Sequence, residues 1–284
     1  MPAVWRINKP TLPQRVTAYG LTVLEDSVVV CTAKSWYQAR RLDLFRGGCT
    51  NLAPMLSYRA YGGVATLNGC VYAVGGCNDD AELMATVEFY DPQKNVWHSV
   101  AGLPLPLANF AMVATNDRLY VFGGTTKSGE NLIALNSVFY YDPAVDAWNK
   151  LADMPTARRW CSACVGLNGV IYVIGGYSDG DNGRCVEAYE TSNDRWLKKS
   201  DMISNRCGAG CAYVDGKIYV LGGFADDLRC DIEFYDESLD IWRPHPCRLS
   251  EPNRSLACTV MTMKKGANWT GQMDLTLVDQ EGQK

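Results

Sequence analysis

The chain has 284 residues and a net charge of −4, and its composition, 47% hydrophobic and 20% charged, is typical of a soluble globular protein. This balance indicates no overall attraction to nucleic acid or to an anionic membrane surface. No apolar run approaches the roughly 20 residues of a membrane span, and the N-terminal stretch MPAVWRINKP lacks the apolar core of a signal peptide. We therefore expect the twelve cysteines to be reduced, in a cytoplasmic protein that also has access to the nucleus.

The first predicted elements are short strands. Residues 1–13 are similar to a fourth strand with no earlier strands ahead of it. Residues 16–53 then predict two hairpins, the first in YGLTVLEDSVVVCTAKS and the second in RRLDLFRGGCTNLAPM. Short strands separated by turn residues indicate an all-β architecture.

Four further units repeat one pattern with a period close to 50 residues. Each has an apolar run that ends in two glycines, and each then has a tyrosine followed seven residues later by a tryptophan, as in VEFYDPQKNVW. A repeat of this length made of strand-like pieces predicts a radial array of four-stranded antiparallel sheets. The repeat positions are Gly75, Gly76, Tyr90 and Trp97; Gly123, Gly124, Tyr141 and Trp148; Gly175, Gly176, Tyr189 and Trp196; and Gly222, Gly223, Tyr235 and Trp242.

Each of these repeat residues has a physical reason for its position. The run that ends in the glycine pair is continuously apolar, so we expect it to be buried on both faces, and the glycines allow a tight backbone turn. Asn68-Gly69 and the matching pairs in later units predict hairpin turns. The tyrosine and tryptophan offer wide apolar surfaces with one polar atom each. An arginine recurs before four of the first strands, and we expect it to pin a turn; these arginines are Arg59, Arg159, Arg206 and Arg254.

These marks resemble the kelch repeat, whose double glycine and spaced Tyr and Trp occur here four times in register. In the degenerate first unit, Leu44 and Cys49 stand near the Tyr and Trp positions. The resemblance implies an all-β, six-bladed kelch β-propeller, with its ring closed by an N-terminal strand that completes the C-terminal blade. We expect a single domain over residues 1–284, with blades at 16–53, 60–103, 108–152, 159–200, 206–246, and 254–284 plus 1–13.

Metal and nucleotide sites are weakly indicated. Cys161 and Cys164 have CxxC spacing, but a zinc site needs a second pair or histidines, and the chain has only two histidines. We expect these thiols, with Cys207 and Cys211, to be buried in first strands. No helical pattern follows Gly176, as a phosphate-binding loop requires. We expect no cofactor and no metal ion.

The loops offer a binding surface, because function on a rigid scaffold resides in its loops. The segment after each glycine pair is expected to neighbour the segment that enters the next first strand. Aromatic residues and arginine in such loops are typical anchors of protein interfaces. The expected partner-binding residues are Trp36, Tyr61, Asp79, Asn109, Lys127, Arg158, Trp160, Tyr177, Asp179, Phe224 and Asp226.

The repeat phrasing looks most like the propellers of BTB-kelch proteins. In that family a BTB domain and a helical BACK domain bind a cullin-3 scaffold, and the propeller recruits the substrate for ubiquitination. The resemblance implies a non-catalytic substrate-recognition module that binds a peptide or a domain surface, with no nucleic acid or membrane partner, and with cullin-3 bound through a BTB domain that this chain does not contain. Two alternatives stay open: an actin-binding kelch scaffold without a ligase role, and a propeller enzyme that uses carboxylate pairs such as Asp79-Asp80.

Overall fold

The protein is an all-β propeller whose blades are four-stranded antiparallel sheets. The computed structural model describes residues 18–25, 27–32, 38–43, 48–178, 183–225 and 227–249. These residues form five blades rather than the six that the sequence predicts. The range of the sixth blade, 254–284 plus 1–13, lies outside the described residues, and so does the expected closure of the ring. Within the described part of the chain, no helix has the length and hydropathy of a membrane span.

The strands of each blade pair in chain order, from the first strand to the fourth. Blade 1 contains β1 (Ala18–Leu24), β2 (Ser27–Thr32), β3 (Ala39–Asp43) and β4 (Gly48–Asn51). Blade 2 contains β5 (Gly63–Leu67), β6 (Cys70–Val74), β7 (Val87–Asp91) and β8 (Val96–Val100).

Blade 3 carries an additional hairpin between its second and third strands. It contains β9 (Ala111–Thr115), β10 (Arg118–Phe122), the hairpin of β11 (Thr125–Ser128) and β12 (Asn131–Ala134), then β13 (Val138–Asp142) and β14 (Ala147–Lys150). Blade 4 contains β15 (Ser162–Val165), β16 (Ile171–Ile174), β17 (Val186–Glu190) and β18 (Arg195–Lys198). Blade 5 contains β19 (Gly210–Val214), β20 (Lys217–Leu221), β21 (Asp231–Asp236) and β22 (Ile241–Arg248).

The second strands lie inside the blades, as their continuous apolar sequence predicts. All four residues of β16 are buried, and β10 is buried along four of its five residues. The first strands of neighbouring blades lie side by side. Aromatic and aliphatic residues then fill the space between successive sheets, and these interblade clusters form the core of the propeller.

The predicted turns are confirmed. Asn68 and Gly69 both have positive φ, 50° and 75°, as a two-residue hairpin turn requires. The glycine pairs also turn the backbone through positive φ. At Gly76, with φ of 96°, an added Cβ would lie 2.5 Å from the carbonyl oxygen of Ala60, so no larger residue fits there.

Each repeat Tyr and Trp, together with an Asn or Asp between them, forms hydrogen bonds around the backbone of one residue in the preceding blade. We call this arrangement the interblade clamp. In blade 2, Trp97 Nε1 donates a hydrogen bond to the carbonyl oxygen of Ala53 at 2.9 Å. The N–H of Ala53 and the hydroxyl of Tyr90 both donate to Asn95 Oδ1 at 2.9 Å. The same clamp recurs in Tyr141, Asp146 and Trp148 on Ala101, in Tyr189, Asp194 and Trp196 on Ala152, and in Tyr235, Asp240 and Trp242 on Ser200.

A buried ion pair ties the entry of the first strand to the third strand in three blades. In blade 2, Arg59 Nε donates to Glu88 Oε1 at 2.9 Å, and Arg59 Nη1 donates to the carbonyl oxygen of Gly75. Both charged side chains are at most 5% exposed. The equivalent pairs are Arg158 with Glu187 and Arg206 with Glu233.

Blade 3 replaces this ion pair with apolar residues. Leu107 stands where the arginine is found, and Phe139 stands where the glutamate is found; both are buried in one core cluster. In blades 2 and 5, backbone N–H groups such as that of Leu56 donate to the glutamate. The matching position in blade 3 is Pro104, which has no N–H to donate.

The degenerate first blade differs in register from the sequence prediction. Leu42, not Leu44, pairs with Cys49 across β3 and β4, at the position of Tyr90 and Trp97 in blade 2. Leu44 itself lies outside the described residues. The absence of a glycine pair in this blade left no fixed point from which to count the register.

Candidate protein-interaction face

The loops that leave the second strands and the loops that enter the first strands meet at one end of the blades, because antiparallel strands alternate in direction. We call this end the loop face. In blades 2 to 5 an isolated β-bridge joins the two loops, and the bridged pairs are Ala60 with Cys77, Ala108 with Thr125, Arg159 with Tyr177, and Cys207 with Phe224. The second glycine of three pairs also bonds to the next blade: the N–H of Gly76 donates to the carbonyl oxygen of Leu107, that of Gly124 to Arg158, and that of Gly176 to Arg206. The predicted proximity of these segments is confirmed.

A chain of backbone hydrogen bonds crosses the loop face from blade to blade. The N–H of Asn109 donates to the carbonyl oxygen of Tyr61, that of Trp160 to Asn109, and that of Gly208 to Trp160, at 2.8–2.9 Å. All four residues have positive φ, between 53° and 60°. They occupy the same turn of four successive blades, so we call this feature the backbone chain. It fixes the relative position of the loops without using any side chain.

Two aromatic residues flank an arginine on the loop face, and a third aromatic residue packs against one of them, in blades 4 and 5. The guanidinium carbon of Arg159 lies 5.1 Å from the ring centroid of Trp160 and 5.2 Å from that of Tyr177. The Trp160 ring meets Phe224 edge-on, with centroids 6.0 Å apart. Such distances are those of cation–π and aromatic pairs. We call these four residues the arginine–aromatic cluster.

The cluster arises from large residues at positions that are small in other blades. The bridged pair is Ala60 with Cys77 in blade 2 and Ala108 with Thr125 in blade 3. Among the four bridged pairs, the aromatic side chains therefore lie in blades 4 and 5. Tyr177 is 45% exposed, so part of this surface contacts solvent.

The predicted partner-binding residues occupy several positions on this face. Tyr61, Asp79, Lys127 and Tyr177 are exposed; Asn109, Trp160 and Phe224 are half-buried. The structure brings Trp160, Tyr177 and Phe224 together and links Tyr61, Asn109 and Trp160 through the backbone chain. Trp36, Asp179 and Asp226 lie outside the described residues. Whether any of them contacts a partner stays a prediction.

The assignments of Arg158 and Arg159 are wrong and must be exchanged. Arg158, predicted to contact a partner, is fully buried and forms a 2.6 Å ion pair with Glu187. Arg159, predicted to pin the turn, reaches the loop face instead. The buried arginines of blades 2 and 5, Arg59 and Arg206, stand two residues before the turn residue of the backbone chain, and Arg158 does the same.

The hairpin of β11 and β12 was not predicted. It projects from the loop face of blade 3 with Leu132 55% and Ile133 38% exposed, and Lys127 lies on it. The extra length between Gly124 and the Tyr141 motif was the available signal, since that spacing exceeds the spacing in blades 4 and 5.

The cysteines of the first strands are buried, as predicted. Cys161, Cys164, Cys207 and Cys211 are each 7–8% exposed. Burial raises the pKa of the Cys161 thiol to about 11, so this thiol is protonated at neutral pH. No cluster of three or more metal-ligating side chains occurs among the described residues. His98 instead stacks on Phe89, with centroids 5.1 Å apart.

Comparison with known protein families agrees with the repeat pattern. The chain matches the KLHDC2/KLHL20/DRC7 Kelch-repeats domain over residues 49–223 and 109–274. It is 29% identical over 245 residues to Kelch-like protein 38 of Mus musculus, covering 84% of this chain and 40% of that protein. It is 34% identical over 155 residues to Kelch repeat and BTB domain-containing protein 12 of Danio rerio, covering 49% of this chain and 25% of that protein.

A solved structure supports the fold independently. The structure of YjhT superimposes with a TM-score of 0.74 and 17% sequence identity, covering 86% of this chain and 87% of that one. At this identity the likeness concerns the fold alone. The chain spans 40% of the mouse relative and 25% of the zebrafish relative, so most of each relative lies beyond the matched propeller.

Proposed function

The chain belongs to the kelch-repeat propeller proteins, and from this membership we propose that its loop face recruits a protein substrate to a cullin-3 ubiquitin ligase. In this proposal the propeller is a non-catalytic recognition module that acts in the cytoplasm and nucleus. Cullin-3 is bound through a BTB domain elsewhere in a longer protein. The zebrafish relative is a kelch repeat and BTB domain-containing protein, which supports this arrangement.

The observation that carries the proposal is the arginine–aromatic cluster. Interfaces are enriched in tryptophan, tyrosine and arginine, and a few such residues dominate the binding energy. Here they stand together on loops that the backbone chain holds in place. A rigid, half-exposed aromatic surface loses little conformational entropy when a partner binds.

Affinity capture tests the proposal. The wild-type propeller, Trp160→Ala and Tyr177→Ala are used as baits, and Leu167→Ala is the control because Leu167 is 57% exposed in the turn at the opposite end of blade 4. We expect a protein captured by the wild type and by Leu167→Ala to be lost with both loop-face variants. Thermal unfolding confirms that each variant is folded. Equal capture by all four baits would contradict a binding role for this face.

The ligase role needs a separate measurement. The full-length protein is precipitated from cells and probed for cullin-3, and the captured partner is followed for ubiquitination. We expect both signals with the wild type, and we expect Trp160→Ala to keep cullin-3 but lose ubiquitination of the partner. A full-length protein that captures the partner without cullin-3 would overturn the ligase role and leave the binding role intact.

A further inference from the structure

Arg159 differs from the other stacked arginine that the structure describes. Arg118 lies over the Tyr140 ring at 4.5 Å and has a carboxylate partner, because its Nη2 is 3.7 Å from Asp142. Arg159 is stacked against two rings, but it pairs with no described carboxylate, and its Nε has no hydrogen-bond partner among the described residues. Among the described residues, its side-chain charge therefore contacts two aromatic rings and no carboxylate.

The surroundings of Arg159 increase the attraction that it exerts on an anion. Its backbone is bridged to Tyr177 in both directions, at 2.9 and 2.7 Å, so its position is set by the fold. The rings of Trp160 and Tyr177 restrict the guanidinium and shield part of it from water, and a charge in such an environment is screened less than one in bulk solvent. A planar guanidinium offers paired N–H donors that match the two oxygens of a carboxylate.

We infer that Arg159 binds a carboxylate of the protein partner, so that the bound segment carries an aspartate or glutamate at one fixed position, flanked by side chains that pack on Trp160, Tyr177 and Phe224. This inference rests on the proposed function, because it requires that the loop face bind a protein. It goes further by naming the chemistry of the contact. A carboxylate matches the guanidinium of Arg159, which pairs with no described carboxylate, and the rings beside it provide apolar surface for the neighbouring residues of the segment.

Peptide selection tests the inference without knowledge of the partner. An unphosphorylated random peptide library is displayed and selected on the immobilised propeller, on Arg159→Gln and on Arg118→Gln. The last variant is the matched control, since Arg118 is also stacked on a tyrosine but follows the turn at the opposite end of blade 3. We expect Asp or Glu at one position in the wild-type and Arg118→Gln pools, and no such enrichment with Arg159→Gln.

The selected consensus peptide is then measured in a double-mutant cycle. Arg159→Gln and an Asp→Asn or Glu→Gln change in the peptide should each weaken binding about tenfold or more, and the two changes together should cost little more than either alone. Arg159→Lys should restore part of the affinity, since it keeps the charge and loses the planar fork. The Arg159→Gln protein should stay folded with at most a small drop in unfolding temperature, because it loses two cation–π contacts and no described ion pair.

The outcomes separate this inference from the proposed function. Peptides without an acidic preference that still lose binding with Trp160→Ala would overturn the role of Arg159 and keep the loop face as a binding site. Acidic peptides that bind Arg159→Gln equally well would also overturn it. Peptides that bind regardless of changes at Arg159, Trp160 and Tyr177, or no selected peptide at all, would count against both.

Discussion

Blades 2 and 3 fill the space between the entry of the first strand and the third strand with different residues, an ion pair in blade 2 and an apolar pair in blade 3. In blade 2, Arg59 and Glu88 form a buried ion pair with hydrogen bonds to the surrounding backbone. In blade 3, Leu107 and Phe139 fill the equivalent space within an apolar cluster. Both halves of the pair differ together, so neither blade contains a lone buried charge.

This difference teaches that the ion pair is one way to build a kelch blade and not a requirement of the fold. Desolvation of two charges offsets most of their attraction, and a well-packed apolar pair of similar volume can be equally stable. What a blade does not tolerate is one charge without the other. Proline at the loop position that matches Leu56 is found with either chemistry, because blade 3 has Pro104 with Phe139 and blade 4 has Pro155 although it keeps Glu187.

The largest expected effect comes from breaking the pair in blade 2. Glu88→Leu leaves the Arg59 guanidinium buried without a counter-charge and removes the acceptor for the N–H of Leu56. We expect the free energy of unfolding, measured by urea denaturation, to fall by about 3–5 kcal/mol. Phe139→Leu in blade 3 is the control and should cost less, because it removes apolar atoms only. A loss no greater than that of the control would contradict a structural role for the ion pair.

A smaller effect is expected when blade 2 is converted to the chemistry of blade 3. The double variant Arg59→Leu and Glu88→Phe should lose about 2 kcal/mol or less, and less than Glu88→Leu alone. The residual loss arises because the N–H of Leu56 and the carbonyl of Gly75 each lose a partner. The same urea titration measures it. If the loss of unfolding free energy in the double variant equals the sum of the losses for Arg59→Leu and Glu88→Phe alone, the apolar pair of blade 3 cannot replace the ion pair of blade 2.

The smallest expected effect concerns the interblade clamp, where blade 2 has Asn95 and blade 3 has Asp146. Hydrogen bonds from the Ala101 N–H and from the Tyr141 hydroxyl hold the pKa of Asp146 below its ordinary value. A carboxylate whose pKa is lowered by folding adds stability above its unfolded pKa of about 3.9 and loses it as the pH falls through the folded pKa. Asparagine accepts the same hydrogen bonds and does not titrate.

Asp146→Asn should therefore make blade 3 less sensitive to acid. We expect the drop in unfolding free energy between about pH 6 and pH 3 to shrink by about 1 kcal/mol or less, and the stability near neutral pH to change little. Urea denaturation at the two pH values measures this, with Asp153→Asn as the control at an exposed carboxylate. An acid-induced drop identical to that of the parent would show that this clamp carboxylate is not linked to folding.

The sequence was sufficient to predict the repeat, since the glycine pairs are required by positive φ and the Tyr and Trp pairs by the clamp. It was not sufficient for the clamp acceptor, although an asparagine or aspartate stands two residues before each repeat tryptophan. Hydrogen bonds between residues about 45 positions apart in the chain leave no local pattern. The blades at the two ends of the chain were the least predictable, because they lack the glycine pair and the Tyr and Trp of the repeat.

The exchange of Arg158 and Arg159 has a definite physical cause. Arg59 and Arg206 each precede their glycine pair by 16 residues, and Arg159 does the same, so counting from the glycines selects Arg159. The turn between β15 and β16 is one residue longer than its counterpart in blade 2, as the strand pairings show. An insertion in a turn at one end of the blade thus shifts the count at the other end. Only the three-dimensional pairing resolves which arginine is buried.

The backbone chain across the loop face holds the loops in position through main-chain atoms and leaves the side chains at its four positions outside these bonds. Its hydrogen bonds run from N–H to carbonyl through Tyr61, Asn109, Trp160 and Gly208, four residues with nothing in common but their φ angle. Because the side chains play no part in these bonds, a substitution that tolerates positive φ leaves the bonds between blades in place. The four positions are therefore equivalent turns whose backbone is fixed and whose side chains differ. If the proposed binding role of this face holds, substitutions at these four positions change what it binds and leave the interior of the propeller unchanged.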